Sequence, residues 1–171
     1  MTSADFFKNN VSVKKYSQSP VEEEKLKGLS SAIRNCSSTD NRQPWRVVII
    51  RDEQTKKSIS AACYNNKAFI EAPLVIIVCG LPDDAYPTLG GFLNSYSVDT
   101  GMLMERISLA AKNLGLSIEW SFSFKEEKVR DLIHAPPESR VVSLSPLGLP
   151  VELSNLPPAK PLQELVVYDH F

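Results

Sequence analysis

A run of hydrogen-bonding side chains at residues 37–43, Ser-Ser-Thr-Asp-Asn-Arg-Gln, comes directly before Pro44, Trp45 and the apolar segment 47–50. Hydroxyl and amide groups both donate and accept hydrogen bonds. Held on a loop that opens into a strand, they would suit a flat ligand with a polar edge. The same residue types dominate ordinary turns. The loop by itself therefore leaves two alternatives, a binding site and a capped turn.

The elements that must position this loop follow from hydrophobic periodicity and turn residues. Leu26, Leu29 and Ile33 form one apolar helical face before the loop, and a continuous β-branched run at 74–79 predicts a strand that is covered on both faces. The elements mix without a regular βαβ order and without a Gly-x-Gly-x-x-Gly turn, which favours an α+β fold. The pattern predicts helices over 3–9, 20–35, 54–69, 98–114 and 125–132, strands over 47–50, 74–79, 117–124 and 141–144, and a long loop over 80–96.

The predicted helix 98–114 is apolar around nearly its whole circumference, and Gly115 is its expected end. Such a helix lies in a core or in an oligomer interface. Asp99 at its start is interpreted as an N-cap or as part of that interface, and the structural role is preferred. Cys36, beside the polar loop, is interpreted as an inert packed thiol rather than a reactive one.

After residue 150 the character of the chain changes. Residues 151–171 begin with a proline-rich stretch and end in an apolar segment with Leu162, Leu165 and Tyr168. We interpret residues 1–150 as one α+β domain and residues 151–171 as an extended arm of the same domain. An apolar end needs a surface to pack on, and the sequence leaves the chain's own domain and a partner subunit as alternatives.

Bulk composition argues against several classes of protein. The 171 residues carry 19 Lys and Arg against 20 Asp and Glu, so nucleic acid is not an expected partner. No apolar run approaches the roughly 20 residues that span a bilayer. The three cysteines form no Cys-x-x-Cys pair and the two histidines cannot easily complete a metal site with them, so we expect reduced thiols, no metal, and a cytoplasmic location.

Four segments together, in order along the chain, resemble the FMN-dependent nitroreductase family. They are residues 11–16 (Val-Ser-Val-Lys-Lys-Tyr), the loop 38–45, residues 99–120 around the buried helix, and residues 146–164. The resemblance implies a mostly antiparallel central sheet flanked by helices, and a C-terminal arm exchanged in a homodimer.

The resemblance also implies the residues that hold FMN. Ser12 and Lys14 match contacts to the ribityl chain and the pyrimidine edge, where a cation stabilises the charge of the reduced ring. Loop residues contact the cofactor from the partner subunit, with Gln43 either binding or bracing the loop, and a backbone N–H at residues 122–123 lies near flavin N5. The implied set is Ser12, Lys14, Ser38, Thr39, Asn41, Gln43, Asn65, Phe122, Ser123 and Lys160.

The chain departs from the family at the phosphate site. Asn10 and Val11 stand where an arginine usually precedes Ser12, and Ala159 replaces a second arginine. A phosphate prefers the bidentate guanidinium contact that these positions have lost. Lys160, Lys14 and Arg42 are the cations that would compensate.

The implied activity is ping-pong hydride transfer through flavin N5. NADH or NADPH would be the reductant, and a nitro compound, quinone or similar small molecule the acceptor. Two alternatives stay open. One is a degenerate member of the fold that binds FMN weakly or not at all and has no reductase activity. The other is a dimeric structural protein.

Overall fold

The computed structural model describes residues 11–170. A four-stranded antiparallel sheet in the order β2-β3-β5-β4 forms its centre, and β1 and β6 pair antiparallel in a second, two-stranded sheet. The strands are β1 (Val11–Tyr16), β2 (Trp45–Ile50), β3 (Leu74–Gly80), β4 (Ser117–Ile118), β5 (Arg140–Gly148) and β6 (Pro150–Asn155). The helices are α1 (Glu23–Arg34), α2 (Glu53–Ala62), α3 (Ala68–Glu71), α4 (Tyr96–Asn113) and α5 (Glu126–Leu132), with 3₁₀ turns at Thr39–Asn41 and Leu162–Glu164.

Strand β3 organises the core, because all seven of its residues are buried. Alternate side chains point to opposite faces of a strand. Ile76 and Val78 pack with helices α1 and α4 on one face of the sheet. Val75 and Ile77 pack with α2 and α5 on the other. The predicted α+β fold and the prediction of a strand covered on both faces are therefore confirmed.

Two predicted elements are wrong in extent. The helix predicted over 54–69 ends at Ala62, and a separate turn of helix begins at Ala68. Tyr64 and Asn65 between them have φ values of 56° and 62°, in the left-handed region that cannot continue a helix. The strand predicted over 117–124 pairs only at Ser117–Ile118, with one further bridge from Ser121 to Leu144.

Helix α4 packs in the core on one side only, so of the two predicted locations, a core or an oligomer interface, the core is confirmed for that side. Leu103 and Ile107 face the core, whereas Val98 and Met102 are 40% and 43% exposed. The predicted end is confirmed, since Gly115 has a φ of 69° just after the helix. No helix within residues 11–170 is both long and apolar enough to cross a membrane.

The first part of the predicted arm is a strand, because β6 pairs with β1 from Val11↔Asn155 to Tyr16↔Pro150. Beyond it, every residue from 155 to 170 is exposed. Leu162, Leu165 and Val167 are 72%, 61% and 58% exposed. This end of the chain therefore does not pack on the rest of the described chain. The predicted helix over 3–9 lies outside the described residues, and the division into a domain and an arm at residue 150 stays a prediction.

Gly148 at the end of β5 is a position where a side chain does not fit. A Cβ atom there would lie 2.7 Å from Pro73 Cδ and 3.5 Å from Tyr16 Cδ1. We expect Gly148→Ala to lower the free energy of unfolding by about 1–3 kcal/mol, because a proline ring cannot move aside easily. Gly101→Ala is the control, since nothing lies within 4 Å of its Cβ. Chemical denaturation measures both, and equal stability of the two variants would contradict the prediction.

Candidate functional site

A cleft of about 510 Å³ opens between β1, α3 and the segment after β4. Its size falls in the range of small-molecule sites. Two of its charged side chains are cations, Lys14 and Lys67, and two are carboxylates, Glu71 and Glu119. Tyr16, Asn66, Trp120 and Ser121 also line it.

Glu119 fixes one wall of the cleft to β1. The Ser12 hydroxyl donates to Glu119 Oε1 at 2.6 Å, and the Val13 N–H donates to Oε2 at 2.9 Å. The Glu119 N–H in turn donates to the hydroxyl of Ser145 at 2.6 Å, a side chain that is fully buried in β5. Glu119 thus joins the two-stranded sheet to the central one, and its carboxylate accepts from the two residues that precede Lys14.

Tyr16 is 2% exposed and lines the same cleft. Its hydroxyl is buried and makes no hydrogen bond within the described part of the chain. Burial, and next the charge of Glu119, raise the pKa of this phenol well above its usual value. The group therefore stays protonated and is a hydrogen-bond donor that lacks an acceptor. An unsatisfied buried group of this kind costs about 1–3 kcal/mol.

Lys14 is held only loosely. Its ammonium lies 3.7 Å from Glu152 Oε1, and both side chains are 58% exposed. An exposed pair of this kind contributes about 1 kcal/mol or less. The ammonium is therefore free to turn towards an anionic group in the cleft.

The polar loop is braced by hydrogen bonds to its neighbours. The Gln43 N–H donates to the Ser38 hydroxyl at 2.8 Å, and the Gln43 side-chain amide donates to the Arg34 carbonyl at 2.9 Å. Both the N–H and the hydroxyl of Thr39 donate to Asp99 Oδ1, at 2.8 and 3.0 Å. Asp99 is fully buried in the first turn of α4, where it ties the loop to the helix instead of capping it.

Asn41 is the loop residue best placed for an external ligand, because it is exposed and its amide makes no hydrogen bond to another described residue. Asp40, Asn41 and Gln43 all have φ values near 50°, a strained conformation for residues other than glycine.

Arg42, one of the candidate phosphate ligands, is already engaged. It donates to the Ala85 carbonyl at 3.3 Å, and its guanidinium lies 5.8 Å from the centre of the Tyr86 ring.

The structure thus brings only some of the predicted site residues together. Lys14 lines the cleft and Ser12 borders it through Glu119. The loop residues Ser38, Thr39, Asn41 and Gln43 do not line it. Asn65, Phe122, Ser123 and Lys160 are all exposed and outside the lining, although Asn66 and Ser121 beside them belong to it.

Sequence reasoning missed Tyr16 as a polar contact, and it missed Glu119, Asn66 and Lys67 altogether. One signal was available for Glu119, because it stands as a carboxylate between Ile118 and Trp120 in a segment of strand-like alternation. No pattern in the sequence shows that the Tyr16 hydroxyl lacks a partner. That fact depends on which groups the fold packs around the ring.

Cys36, beside the polar loop, is 3% exposed. Burial raises the pKa of its thiol, although Arg106 partly opposes this. Burial also raises the pKa of Cys63 and Cys79 to about 11. The thiolate is the reactive form, so these cysteines are packing residues. No group of His, Cys, Asp and Glu within residues 11–170 is arranged to hold a metal ion.

The fold, with its cleft beside the second sheet and its braced polar loop, is that of an α+β protein with a small-molecule site. The model of the nitroreductase family matches residues 8–80 and 60–149. The chain belongs to the nitroreductase family.

Individual relatives agree with this assignment. A Methanothermobacter thermautotrophicus protein, provisionally named NADH dehydrogenase/NAD(P)H nitroreductase, is 30% identical over 150 residues, which cover 85% of this chain and 75% of that one. A nitroreductase family protein from Clostridium difficile has a crystal structure with a TM-score of 0.86, 26% identity and full coverage of both chains. Nitroreductase A from Vibrio parahaemolyticus shares the fold, with a TM-score of 0.89, 20% identity, and coverage of 100% of this chain and 78% of that one.

Proposed function

We propose that this protein is an FMN-dependent NAD(P)H oxidoreductase that works as a homodimer. Family membership and the provisional name of the archaeal relative support the activity. The observation on this chain that best supports the proposal is the cleft beside β1. It presents Lys14 and the Ser12 segment, the two residues that the resemblance assigned to the flavin, next to an unsatisfied buried donor.

The residues present fit a flavin. The cleft is large enough for a ligand of this class. Lys14 and Lys67 supply cations for the pyrimidine edge or the phosphate. Ser38, Thr39 and Asn41 would reach the cofactor from the partner subunit, and the backbone at residues 122–123 would lie at its N5 edge.

FMN, when bound, supplies the redox chemistry, accepting a hydride from NADH or NADPH and passing electrons to a nitro compound, a quinone or a similar acceptor. The protein's own residues then need only to bind and to hold charge. The Lys14 ammonium would stabilise the negative charge on the pyrimidine edge of the reduced ring. This limited role of the side chains agrees with the composition of the cleft, because its described lining residues include no His and no Cys.

The dimer is supported by surfaces that the single chain leaves uncovered. The exposed side of α4 and the apolar end of the chain both need a partner, because exposed apolar surface of this kind marks interaction sites. We propose that residues 156–171 exchange onto a second copy, and that the two exposed sides of α4 meet. The loop with Asn41 would then complete the partner's cleft.

A second candidate is a flavin-fold binding protein without reductase activity. Two observations favour it, the alanine at position 159 where the family has an arginine, and the two carboxylates that balance the two lysines among the cleft residues that the structure describes. A site of this charge gives a phosphate little net attraction. Riboflavin should then bind as tightly as FMN, and neither complex should oxidise NADH or NADPH.

The test is to incubate the purified protein with FMN, remove free FMN by desalting, and follow oxidation of NADH and NADPH with a nitro compound or a quinone. Retained FMN together with turnover that depends on the acceptor supports the oxidoreductase. Retained flavin without NAD(P)H oxidation supports the binding protein. A stable dimer that retains no flavin supports the structural alternative.

Lys14→Gln tests the assigned charge contact. We expect FMN affinity to fall about tenfold or more, since a hydrogen bond to a charged group contributes about 1.5–3 kcal/mol. Lys15→Gln is the matched control, because Lys15 is the exposed neighbour that does not line the cleft. Quenching of FMN fluorescence measures both affinities. Equal affinities for the two variants would show that Lys14 does not contact the cofactor.

A further inference from the structure

We propose that Ser145 is a positioning residue that holds one wall of the cleft open, because its hydroxyl takes a place in the hydrogen-bond ladder of the central sheet. The wall is the segment of residues 119–121 after β4, and each of its residues lines the cleft. The inference rests on the proposed function where it names a flavin as the ligand. The position of the wall follows from the contacts of this chain alone.

The wall keeps the register of the sheet on both of its sides. Before it, Ile118 of β4 lies opposite Leu147 of β5. After it, Ser121 lies opposite Leu144. Both chains advance by the same number of residues between these two pairs, so the wall contains no bulge. The gap in strand pairing at residues 119 and 120 therefore has another cause.

That cause lies in the two β5 residues that face the gap, Ser145 and Pro146. Pro146 is opposite Glu119 in this register and has no N–H, so it offers the ladder only a carbonyl. The position is of the hydrogen-bonded kind, because Ser121 and Leu144, two residues further along, exchange backbone bonds of 2.7 and 3.3 Å. In a continuous ladder the Glu119 N–H would donate directly to the Pro146 carbonyl.

The Ser145 hydroxyl stands between these two backbone groups. The Glu119 N–H donates to Ser145 Oγ at 2.6 Å, and the hydroxyl donates to the Pro146 carbonyl at 2.7 Å. Two bonds in series thus replace one direct N–H···O bond of about 2.9 Å. Ser145 is fully buried, so solvent does not compete for its hydroxyl. The wall is held further from β5 than a continuous ladder would hold it, and Pro146 remains part of the cleft lining.

The wall that Ser145 displaces is tied to two other elements of the fold. The Glu119 carboxylate accepts two hydrogen bonds from β1, and the Trp120 indole N–H donates to the Ser108 hydroxyl of α4 at 3.0 Å. If the gap closed, the wall would move onto Pro146 and would narrow the cleft from that side. Ser145 therefore sets the width of the cleft from a position behind its wall.

Ser143 provides a matched control two residues earlier in β5, on the same face of the strand. It is as fully buried as Ser145, and its hydroxyl donates to the Ser121 carbonyl of the same wall at 2.9 Å. That carbonyl also accepts the ladder bond from the Leu144 N–H. Ser143→Ala thus removes a buried hydrogen bond to the wall and leaves the spacing of the backbones unchanged.

The experiment compares dissociation constants for FMN and riboflavin in the wild type, in Ser145→Ala and in Ser143→Ala. Without the Ser145 hydroxyl, the buried Glu119 N–H finds its nearest acceptor in the Pro146 carbonyl. We expect both flavins to bind about tenfold or more weakly in Ser145→Ala, by equal factors, because a closer wall leaves too little room for the ring. Ser143→Ala should bind both within about twofold of the wild type.

Nuclear magnetic resonance of the ligand-free proteins reports the position of the wall, through the scalar coupling that a hydrogen bond transmits from the donor nitrogen to the acceptor carbonyl carbon. We expect no coupling between the Glu119 nitrogen and the Pro146 carbonyl carbon in the wild type, and a measurable one in Ser145→Ala. The coupling from Ser121 to Leu144 should be present in every protein compared and is the internal control. Thermal melting verifies the folding of each variant.

A coupling from Glu119 to Pro146 in the wild type overturns the inference, whether or not the variants fold. Ser145→Ala protein that binds flavin as tightly as the wild type also overturns it. An equal loss of affinity in Ser145→Ala and Ser143→Ala does so too, since both serines would then act only through stability. These results leave the proposed function standing. Wild-type protein that binds neither flavin contradicts the proposed function, while the couplings still decide whether Ser145 spaces the wall.

Discussion

Removal of residues 156–171 is expected to abolish dimerisation and to weaken FMN binding at least about 100-fold, while the body of the protein stays folded. The fold should survive because every residue from 155 to 170 is exposed in the single chain. Loss of the partner's Ser38–Asn41 loop from the cleft removes several polar contacts, each worth about 0.5–3 kcal/mol. Two such contacts already correspond to about 100-fold in affinity.

Light scattering, circular dichroism and a fluorescence titration with FMN measure the three parts of this result. The matched control is Val167→Ser, which removes one apolar contact of the arm and should weaken the dimer without abolishing it. A truncated protein that remains dimeric would show that the arm is not the element exchanged. A truncated monomer that binds FMN as tightly as the full chain would show that one subunit contains the whole site.

Asp99→Ala is expected to lower the free energy of unfolding by about 3 kcal/mol and to release the polar loop from helix α4. Asp99 is fully buried, and its Oδ1 accepts both hydrogen bonds from Thr39. Removal of the acceptor leaves an N–H and a hydroxyl unpaired, at about 1–3 kcal/mol each. The loop would lose its fixed conformation, so FMN affinity should also fall.

Asp99→Asn separates the hydrogen bonds from the charge. An asparagine oxygen still accepts from Thr39, and the buried Oδ2, which has no partner among the described residues, becomes an amide. We expect this variant to lie within about 1 kcal/mol of the wild type, because the Thr39 pairs persist. Chemical denaturation gives both values. A loss of stability as large in Asp99→Asn as in Asp99→Ala would show that the charge, and not the acceptor, holds the loop.

The sequence predicted those elements whose cause is local. The β-branched run at 74–79 could only be a strand buried on both faces, and Gly115 marked the end of α4 through the left-handed conformation that glycine tolerates. The prediction from sequence was wrong where positive φ values interrupt a segment whose apolar residues recur with helical spacing. Tyr64 and Asn65 adopt positive φ values inside what reads as one helix, and neither is a glycine that would have signalled a break.

The site was predicted only in part, for a physical reason. Ser12 and Lys14 belong to a short contiguous motif, so resemblance could place them beside the cleft. Glu119 lies more than 100 residues away and meets Ser12 only because the fold brings the segment after β4 beside β1. Long-range contacts of this kind leave no local pattern. The contribution of the loop at Asn41 depends on a second subunit and stays a prediction.

The proposed flavin chemistry is tested most directly by the visible absorption spectrum of the purified protein, recorded before and after addition of NADH or NADPH, with the released chromophore identified after heat denaturation. We expect the two absorption bands of a bound oxidised flavin, their bleaching by the reduced nicotinamide, and FMN as the chromophore released. A colourless protein that takes up no added FMN and oxidises neither NADH nor NADPH would contradict it.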